Sequence, residues 1–539
     1  MNIIDQATRA QTQAADPTSQ IFVEANAGSG KTRVLVDRVA RLLLAGAEPS
    51  RILCLTYTKA AAGEMKSRLF KRLGDWSILP DDDLGKILDG FGELSDPGRL
   101  EDARRLFARA LETPGGLAVQ TIHAFCESLL KRFPLEAGIP PGFEIIDDPT
   151  AARLIAAARQ STLLATRDDP SLAEALNTIA ARGADKLDLL FKLARDKRHA
   201  LAHLIENNGV DALIARQYEA LGLAPGVSAT DLMAKGWEFA PLSALESAAL
   251  ELQTSGVTDQ KRGQAISEAL NAPTPEAAYR AYLNVFFSGG GEKTLFKSVL
   301  TKGFAGQNPA IADVLDAEAI RMEQARNQVR AALTAEGGAA ALRFAARFID
   351  AYSAQLSRAR KLDFADLVDG AARLLQQSEA ADWVRYKMDG GVDHILVDEA
   401  QDTAPDQWAV IDTLAEGFFA GLNEGGIRTL FCVGDEKQSI YSFQGADPKR
   451  FIARGERLAA ESKAAKLDFA RPALSASFRS GFEVLASVDR AFGPEQALGE
   501  TRAIAGAPET KFVAPDNDNL EGAIAPAPDA FTAYRPHQA

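Results

Sequence analysis

Residues Ala25-Asn26-Ala27-Gly28-Ser29-Gly30-Lys31-Thr32 constrain this chain more than any other stretch. They follow a short apolar run, Ile21-Phe22-Val23, and open onto a helical pattern, Val34-Leu35, Val39 and Leu42-Leu43. Strand, glycine-bearing turn and helix in immediate succession are the setting that a phosphate-binding loop requires. The glycines let backbone N–H groups close around phosphate oxygens, and the helix N-terminus adds its partial positive charge. In such a loop Lys31 reaches the β- and γ-phosphates of a nucleotide and the Thr32 hydroxyl ligates Mg²⁺. The usual pattern, G-x-x-x-x-G-K-S/T, begins with glycine, where this chain has Ala25. Taken alone, the stretch is also compatible with a coincidental Gly/Ser turn, so the rest of the chain has to decide.

With 539 residues the chain can bury large cores, and about three or four domains are expected. Hydrophobic residues make up 46% and charged residues 25%, which is ordinary globular material. No apolar run approaches the ~20 residues of a membrane span. Met1-Asn2-Ile3-Ile4-Asp5 offers neither a basic n-region nor an apolar h-region. Cys54, Cys126 and Cys432 are far apart, form no CxxC pair and sit in apolar stretches, which fits buried thiols in a reducing cytoplasm. The net charge of −13 argues against a bulk polyanion binder but leaves local basic patches open. One such patch is Arg51 to Arg72, with six basic residues against the single acid Glu64. A solvated helix face would explain it equally well in isolation.

Short apolar strands alternate with helices over residues 20–145. Ile52–Leu55 reads as a strand followed by a helix from about Lys59 to Leu73, and Leu117–Gln120 as a strand followed by a helix from Ile122 to about Arg132. This alternation predicts an α/β fold with a parallel sheet covered on both faces. From about Thr150 to Arg360 alanine and leucine recur at helical spacing and strand signals fade, which predicts a mostly helical insertion. A polar turn, Ser288–Lys293, interrupts it. Strand signals return at His394–Val397 and Thr429–Val433 and are expected to complete the same sheet. After about Gly493 the Pro-, Asp-, Asn- and Ala-rich composition reads as loop or disorder.

Two further boxes carry chemistry. In Ile395-Leu396-Val397-Asp398-Glu399-Ala400-Gln401-Asp402 an apolar strand delivers two adjacent acids to its C-terminal edge, where open α/β sheets bind ligands. Asp398 is placed to hold Mg²⁺, and Glu399 to orient and deprotonate an attacking water. The stretch Val433-Gly434-Asp435-Glu436-Lys437-Gln438-Ser439-Ile440-Tyr441-Ser442-Phe443 again follows a buried strand. Gln438 can hydrogen-bond both a γ-phosphate and the water, while Tyr441 and Phe443 face a neighbouring surface or, in the bland alternative, the core.

Loop, acid box and glutamine box, in that order, resemble the UvrD/Rep-type superfamily 1 DNA helicases. That family's phosphate loop reads A-x-A-G-S-G-K-T, so Ala25 is expected. Leu55-Thr56-Tyr57-Thr58-Lys59-Ala60-Ala61, running on to Arg68, resembles its single-strand-contacting box, with Tyr57 where the family usually has Phe and without the usual Asn. Thr121-Ile122-His123-Ala124-Phe125-Cys126 resembles the next DNA-contacting box. Gln11 resembles the adenine-reading glutamine, with Gln13 as its rival. Ser477-Phe478-Arg479-Ser480 resembles the Y-R-S box, in which the aromatic packs on adenine and the arginine reaches the γ-phosphate from the second motor domain. Gln444 stands where most of the family has Arg. With Leu362-Asp363-Phe364-Ala365-Asp366-Leu367 and the large insertion, the chain most resembles the AddA-type helicase–nuclease subunits of double-strand-break repair.

The resemblance implies a RecA-like P-loop motor domain from residues 1–145 and 361–470, a helical domain over 146–360, and over 471–539 the start of an incomplete second motor domain with a polar tail. It implies ATP and Mg²⁺ as cofactors, held by residues 25–32 with Gln11, Phe478 and Asp398. Glu399, Gln438 and Arg479 are the implied catalytic residues. Thr56, Tyr57, Thr58, Lys59, Arg68, Thr121, His123, Tyr441 and Phe443 are the implied DNA contacts. The implied partners are single-stranded DNA, double-stranded DNA ends and an AddB-type subunit, and the implied polarity is 3′ to 5′. No late arginine box and no nuclease motif of the D-Y-K type is found. The chain is therefore expected to be the N-terminal half of a longer protein, with a segment around Arg479 left mobile. An alternative expectation is a nucleotide- and DNA-binding module with little unwinding activity.

Overall fold

The computed structural model describes residues 3–479 apart from 94, 115, 290–292, 377–380, 382, 385–386, 388–391, 420–425 and 441–445, and beyond 479 only Val484, Ser487, Lys511 and Phe512. The chain divides into two compact units, Met1–Ile145 with Leu362–Ala539, and Ile146–Lys361.

The first unit is built on a parallel sheet. Its strands in chain order are β1 (Gln20–Ala25), β2 (Ile52–Thr56) and β3 (Ala118–Thr121), then β6 (His394–Val397), β7 (Thr429–Gly434), β8 (Phe469–Ala470) and β9 (Ala473–Leu474); the two-residue strands β4 (Glu144–Ile145) and β5 (Lys361–Leu362) flank the inserted segment. The spatial order is β3-β2-β6-β7-β1-β8, with β9 also alongside β1. Central registers pair Cys54 with Val119 and Leu396, Leu396 with Phe431, and Val23 with Val433. The strand that follows the insertion thus lies between β2 and β7, so the helical block interrupts the sheet in sequence and not in space.

Near-continuous apolar strands need cover on both faces. Alternate residues divide accordingly. Ile21, Val23, Ile52, Cys54, Leu396, Phe431 and Val433 face one core with helices α2 (Lys31–Leu44), α3 (Lys59–Ile78) and Pro97–Glu112, and Ala14 at the end of helix α1 (Ile3–Ala14) joins it. Phe22, Leu53, Leu55, Ile395, Val397, Leu430 and Cys432 face the other, with helices Ile122–Arg132, Phe364–Gln376, Pro405–Ala415 and Pro448–Ala465. All three cysteines are free and buried in these cores, and burial pushes their thiols up, which keeps them protonated. Beneath β1 the fully buried Arg38 donates to the carbonyls of Asp16 and, at 2.8 Å, Ser19, fixing the entry into the first strand.

Residues 469–478 differ from expectation. β8 and β9 extend the edge of this first sheet. The otherwise orphaned amides of Glu24 and Asn26 donate to the carbonyls of Pro472 (3.3 Å) and Leu474 (3.1 Å), and Phe478 N–H donates to the Gly28 carbonyl at 2.8 Å. The segment leading to Arg479 is held by edge-strand hydrogen bonding, which corrects the expectation of a loose one. In the tail read as loop or disorder, Lys511–Phe512 pairs in parallel with Ala476–Ser477.

Helices form the second unit. Its spine is the 51-residue helix Pro309–Ala359, roughly 75 Å long. Leu315, Met322, Val329 and Ala332 in its first half join a core with helices Ala229–Glu238, Leu242–Gln253, Val257–Leu270 and Pro275–Phe286. Ala340, Phe344, Phe348 and Tyr352 in its second half join another with helices Asp148–Ala165, Pro170–Ala180 and Ala184–Asp196.

Candidate functional site

The phosphate loop, the acid box and the start of the glutamine box emerge at the C-terminal edge of the first unit's sheet, after β1, β6 and β7. β1 ends at Ala25, and the loop to α2 turns through Gly28 (φ +73°) and Gly30 (φ +92°), a left-handed geometry that favours glycine. Close packing reinforces the choice: a Cβ on Gly28 would lie 2.6 Å from the Arg479 Cβ, and one on Gly30 2.8 Å from Gln11 Nε2. Asn26 and Ser29 are buried, Ala27 is exposed, and the Ser29 hydroxyl finds no hydrogen-bond partner among the described residues. Lys31 and Thr32 occupy the first turn of α2, whose free amides face the loop.

β6 delivers the acid pair. The Asp398 amide donates to the Leu55 carbonyl at 2.9 Å, and its carboxylate accepts from the Glu399 amide at 3.0 Å. Burial, and then the neighbouring Glu399 charge, push the Asp398 carboxyl up to about 6. Glu399 itself adopts a left-handed backbone (φ 48°, ψ 47°), uncommon for a side-chain-bearing residue, which turns its carboxylate toward the phosphate loop. Its Oε2 accepts from Lys31 Nζ at 2.8 Å. The first and second boxes, 368 residues apart, thus meet in an ion pair.

A third partner reaches the same oxygen. Gln401 Nε2 donates to Glu399 Oε2 at 2.8 Å, and Gln401 Oε1 accepts from the Asp435 amide at 2.9 Å. Asp435 caps the turn after β7, accepting from the Lys437 amide at 3.1 Å and from Gln438 Nε2. Gln438 is therefore held back against Asp435. Tyr441, Phe443 and Gln444 lie outside the described residues.

Beside the loop lies a cavity of about 200 Å³ lined by Gln6, Gln11, Ser29, Leu474 and Phe478, among others. Gln11 donates to the Ser29 carbonyl at 3.1 Å, whereas the exposed Gln13 does not line the cavity. Gln11 and Phe478 flank a space at the base end of the phosphate loop, and Arg479 is exposed at its rim. A glycine cradle, an unpartnered buried hydroxyl and a carboxylate whose charge burial disfavours together fit phosphate oxygens and a divalent cation. Thr32 and Asp398 would hold that cation.

Next to this edge, β2 and β3 carry the remaining boxes. Thr56 is buried and its hydroxyl donates to the Thr58 carbonyl at 3.1 Å, so it shapes the turn. Thr58 and Thr121 cap the following helices, accepting from the amides of Ala61 (3.1 Å) and Ala124 (3.2 Å). Tyr57 is half-buried and Lys59 exposed, whereas Arg68 is paired with Glu64 on the helix surface. His123 is held below its ordinary value by burial, and so is neutral at pH 7. Its ring meets Phe364 edge-on, with centroids 5.3 Å apart.

Two residues of interest escaped the sequence reading. Gln401 was visible as a letter of the acid box, but its two-sided bonding was not. Phe364, 55% exposed, was visible only as part of a subgroup marker, and nothing local announces its contact with His123.

The family model described as the UvrD/REP helicase N-terminal domain matches residues 6–458. Among curated proteins, the chain is similar to the A subunit of the ATP-dependent helicase/nuclease of Lactobacillus delbrueckii, with 28% identity over 90% of this chain and 39% of the relative. The proteins of the same name from Desulforudis audaxviator (30% identity; 80% and 35% covered) and Enterococcus faecalis (26%; 89% and 38%) are also similar. The chain spans about two fifths of the length of these relatives.

Proposed function

Because the chain belongs to the UvrD/REP helicase family, we propose that it is the ATP-hydrolysing part of a DNA helicase that moves 3′ to 5′ on single strands and acts in double-strand-break repair with an AddB-type subunit. The observation that carries the reading is the Lys31–Glu399 contact, which brings the phosphate loop and the acid box to one point at the sheet edge.

Chemically, Lys31 leaves Glu399 for the β- and γ-phosphates when ATP enters. The loop amides and the α2 N-terminus hold the phosphate oxygens, and Gln11 and Phe478 hold the base. Thr32 and Asp398 would hold Mg²⁺, which would supply neutralisation of the phosphate charge. Glu399, released from Lys31, accepts a proton from the water that attacks the γ-phosphorus as the bond to the ADP oxygen breaks. Gln438 swings from Asp435 to that water, and Arg479 turns from the rim toward the γ-phosphate. Tyr57 and His123 stack on bases, as would Tyr441 and Phe443, and the exposed Phe364, edge-on to His123, offers a further apolar contact beside it. Lys59 and the other exposed cations of α3 contact phosphates. Neutral His123 suits a base face better than a phosphate.

The decisive experiment is ATP turnover with Mg²⁺ in the presence and absence of a single-stranded oligonucleotide. Turnover stimulated by the strand supports the proposal, and turnover indifferent to DNA contradicts it. Adding a labelled duplex separates a helicase from a nucleotide- and DNA-binding module.

A further inference from the structure

The geometry points to Gln401 as the positioning residue that keeps the hydrolytic base aimed after ATP has drawn Lys31 away. The inference rests on the ATPase reading above.

Both hydrogen bonds to Glu399 fall on one oxygen, Oε2, from Lys31 Nζ and from Gln401 Nε2. No donor to Oε1 is found among the described residues, so that oxygen is open to accept the proton of a water. ATP must take Lys31, because its ammonium is the charge that faces the phosphates. Gln401 is then what remains on Oε2. It is suited to stay: it is 1% exposed, its own Oε1 is fixed by the Asp435 amide at 2.9 Å, and its backbone carbonyl accepts from the Ser439 hydroxyl at 3.4 Å. The neighbouring chain is shaped to admit it. A Cβ on Gly434 would lie 2.5 Å from Gln401 Oε1 and 2.9 Å from the Phe451 ring, so the strand end leaves the space that the amide fills. One rigid amide, donating to the base and accepting from the turn that carries Gln438, thereby sets the two water-handling side chains in a single frame. Gln401 Nε2 also lies 3.3 Å from Asp402 Oδ2, so an ionised carboxylate at 401 could still accept from Asp435 but would oppose Glu399 and Asp402 with a third negative charge instead of donating to them.

Gln401→Leu and Gln401→Glu test this in the full chain. Three measurements are made: ATP turnover at saturating Mg·ATP, affinity for a non-hydrolysable ATP analogue by calorimetry, and hydrogen exchange of the Asp435 amide with and without that analogue. Both variants should lose tenfold or more in turnover while analogue affinity stays within threefold. Asp435 should stay protected in wild type with the analogue bound and in Gln401→Glu, but exchange faster in Gln401→Leu. In a Glu399→Gln background, Gln401→Leu should cost less than a further twofold, because it acts through the missing base. Turnover within twofold of wild type in Gln401→Glu would overturn the assignment, as would full multiplication of the two defects or loss of Asp435 protection on analogue binding. If Gln401→Leu does not fold, the turnover of Gln401→Glu alone decides the matter. A wild-type chain that neither binds the analogue nor hydrolyses ATP would instead fail the ATPase reading itself.

Discussion

The sheet edge has two poles, and they are built in opposite ways. At the pole proposed for the nucleotide, on β1, β6 and β7, charged groups and amides satisfy one another: Lys31 with Glu399, Gln401 with both Glu399 and Asp435, Gln438 with Asp435. At the pole on β2 and β3 the hydroxyls of Thr56, Thr58 and Thr121 are spent on local turns and caps, and beside them stand the half-buried Tyr57 and His123 and the exposed Lys59. Each arrangement asks something different of its ligand. On the proposed reading a nucleotide has to displace the Lys31–Glu399 ion pair, which suits an on-or-off switch. A polynucleotide, on the same reading, would lie on a surface and contribute small increments over many nucleotides.

Substitutions should separate the poles, the largest effects at the nucleotide end. Glu399→Gln removes the base and should lower turnover by about 10²–10⁴. Nucleotide affinity should be unchanged or tighter, because Lys31 loses its competing partner. Lys31→Ala should abolish nucleotide binding while leaving affinity for a single strand intact. Equal loss of nucleotide affinity in both variants, measured by calorimetry, would break the division of roles.

Asp398 gives the next effect, in pH dependence. Its carboxyl is raised from 3.8 to about 6 in the folded, nucleotide-free chain. A raised pKa means that the stability of the protonated form is fully present below 3.8 and is lost as pH rises through about 6. Asp398→Asn should therefore melt like wild type near pH 4 and be more stable at pH 8, by at most about 3 kcal/mol. A difference that does not vary with pH would contradict the burial of that charge.

At the second pole, Tyr57→Ala and Phe364→Ala should each weaken single-strand binding by roughly 1–3 kcal/mol, leaving nucleotide affinity and melting temperature nearly unchanged. A large fall in melting temperature with DNA affinity intact would make them core residues. The smallest effect belongs to Thr58→Ala, a lost helix cap of about 1 kcal/mol in thermal unfolding.

Much of the nucleotide pole was legible because its residues are contiguous in short boxes with a fixed chemical reason for each spacing. Helix Ile122–Arg132 and strand His394–Val397 also fell where their patterns placed them. The helix after β2 runs on to Ile78, because Trp76 continues its buried stripe past the expected end at Leu73. Contacts between distant segments were not legible. His123 meeting Phe364, residues 472–478 docking on the phosphate loop and Gln401 seated over Gly434 depend on tertiary approach and leave no local pattern. Nor was the local use of Thr56 legible: its box suggested a DNA contact, and in the fold its hydroxyl donates to the Thr58 carbonyl at the turn from strand to helix.

Two separate sites on one sheet edge should bind independently when a single-stranded oligonucleotide and a non-hydrolysable Mg·ATP analogue are titrated into the chain, alone and together, in wild type and Lys31→Ala. Both ligands should bind wild type at once, Lys31→Ala should lose only the nucleotide, and oligonucleotide affinity should fall steeply with salt. Mutual displacement of the two ligands, or loss of both in Lys31→Ala, would show one shared polyanion site and contradict that separation.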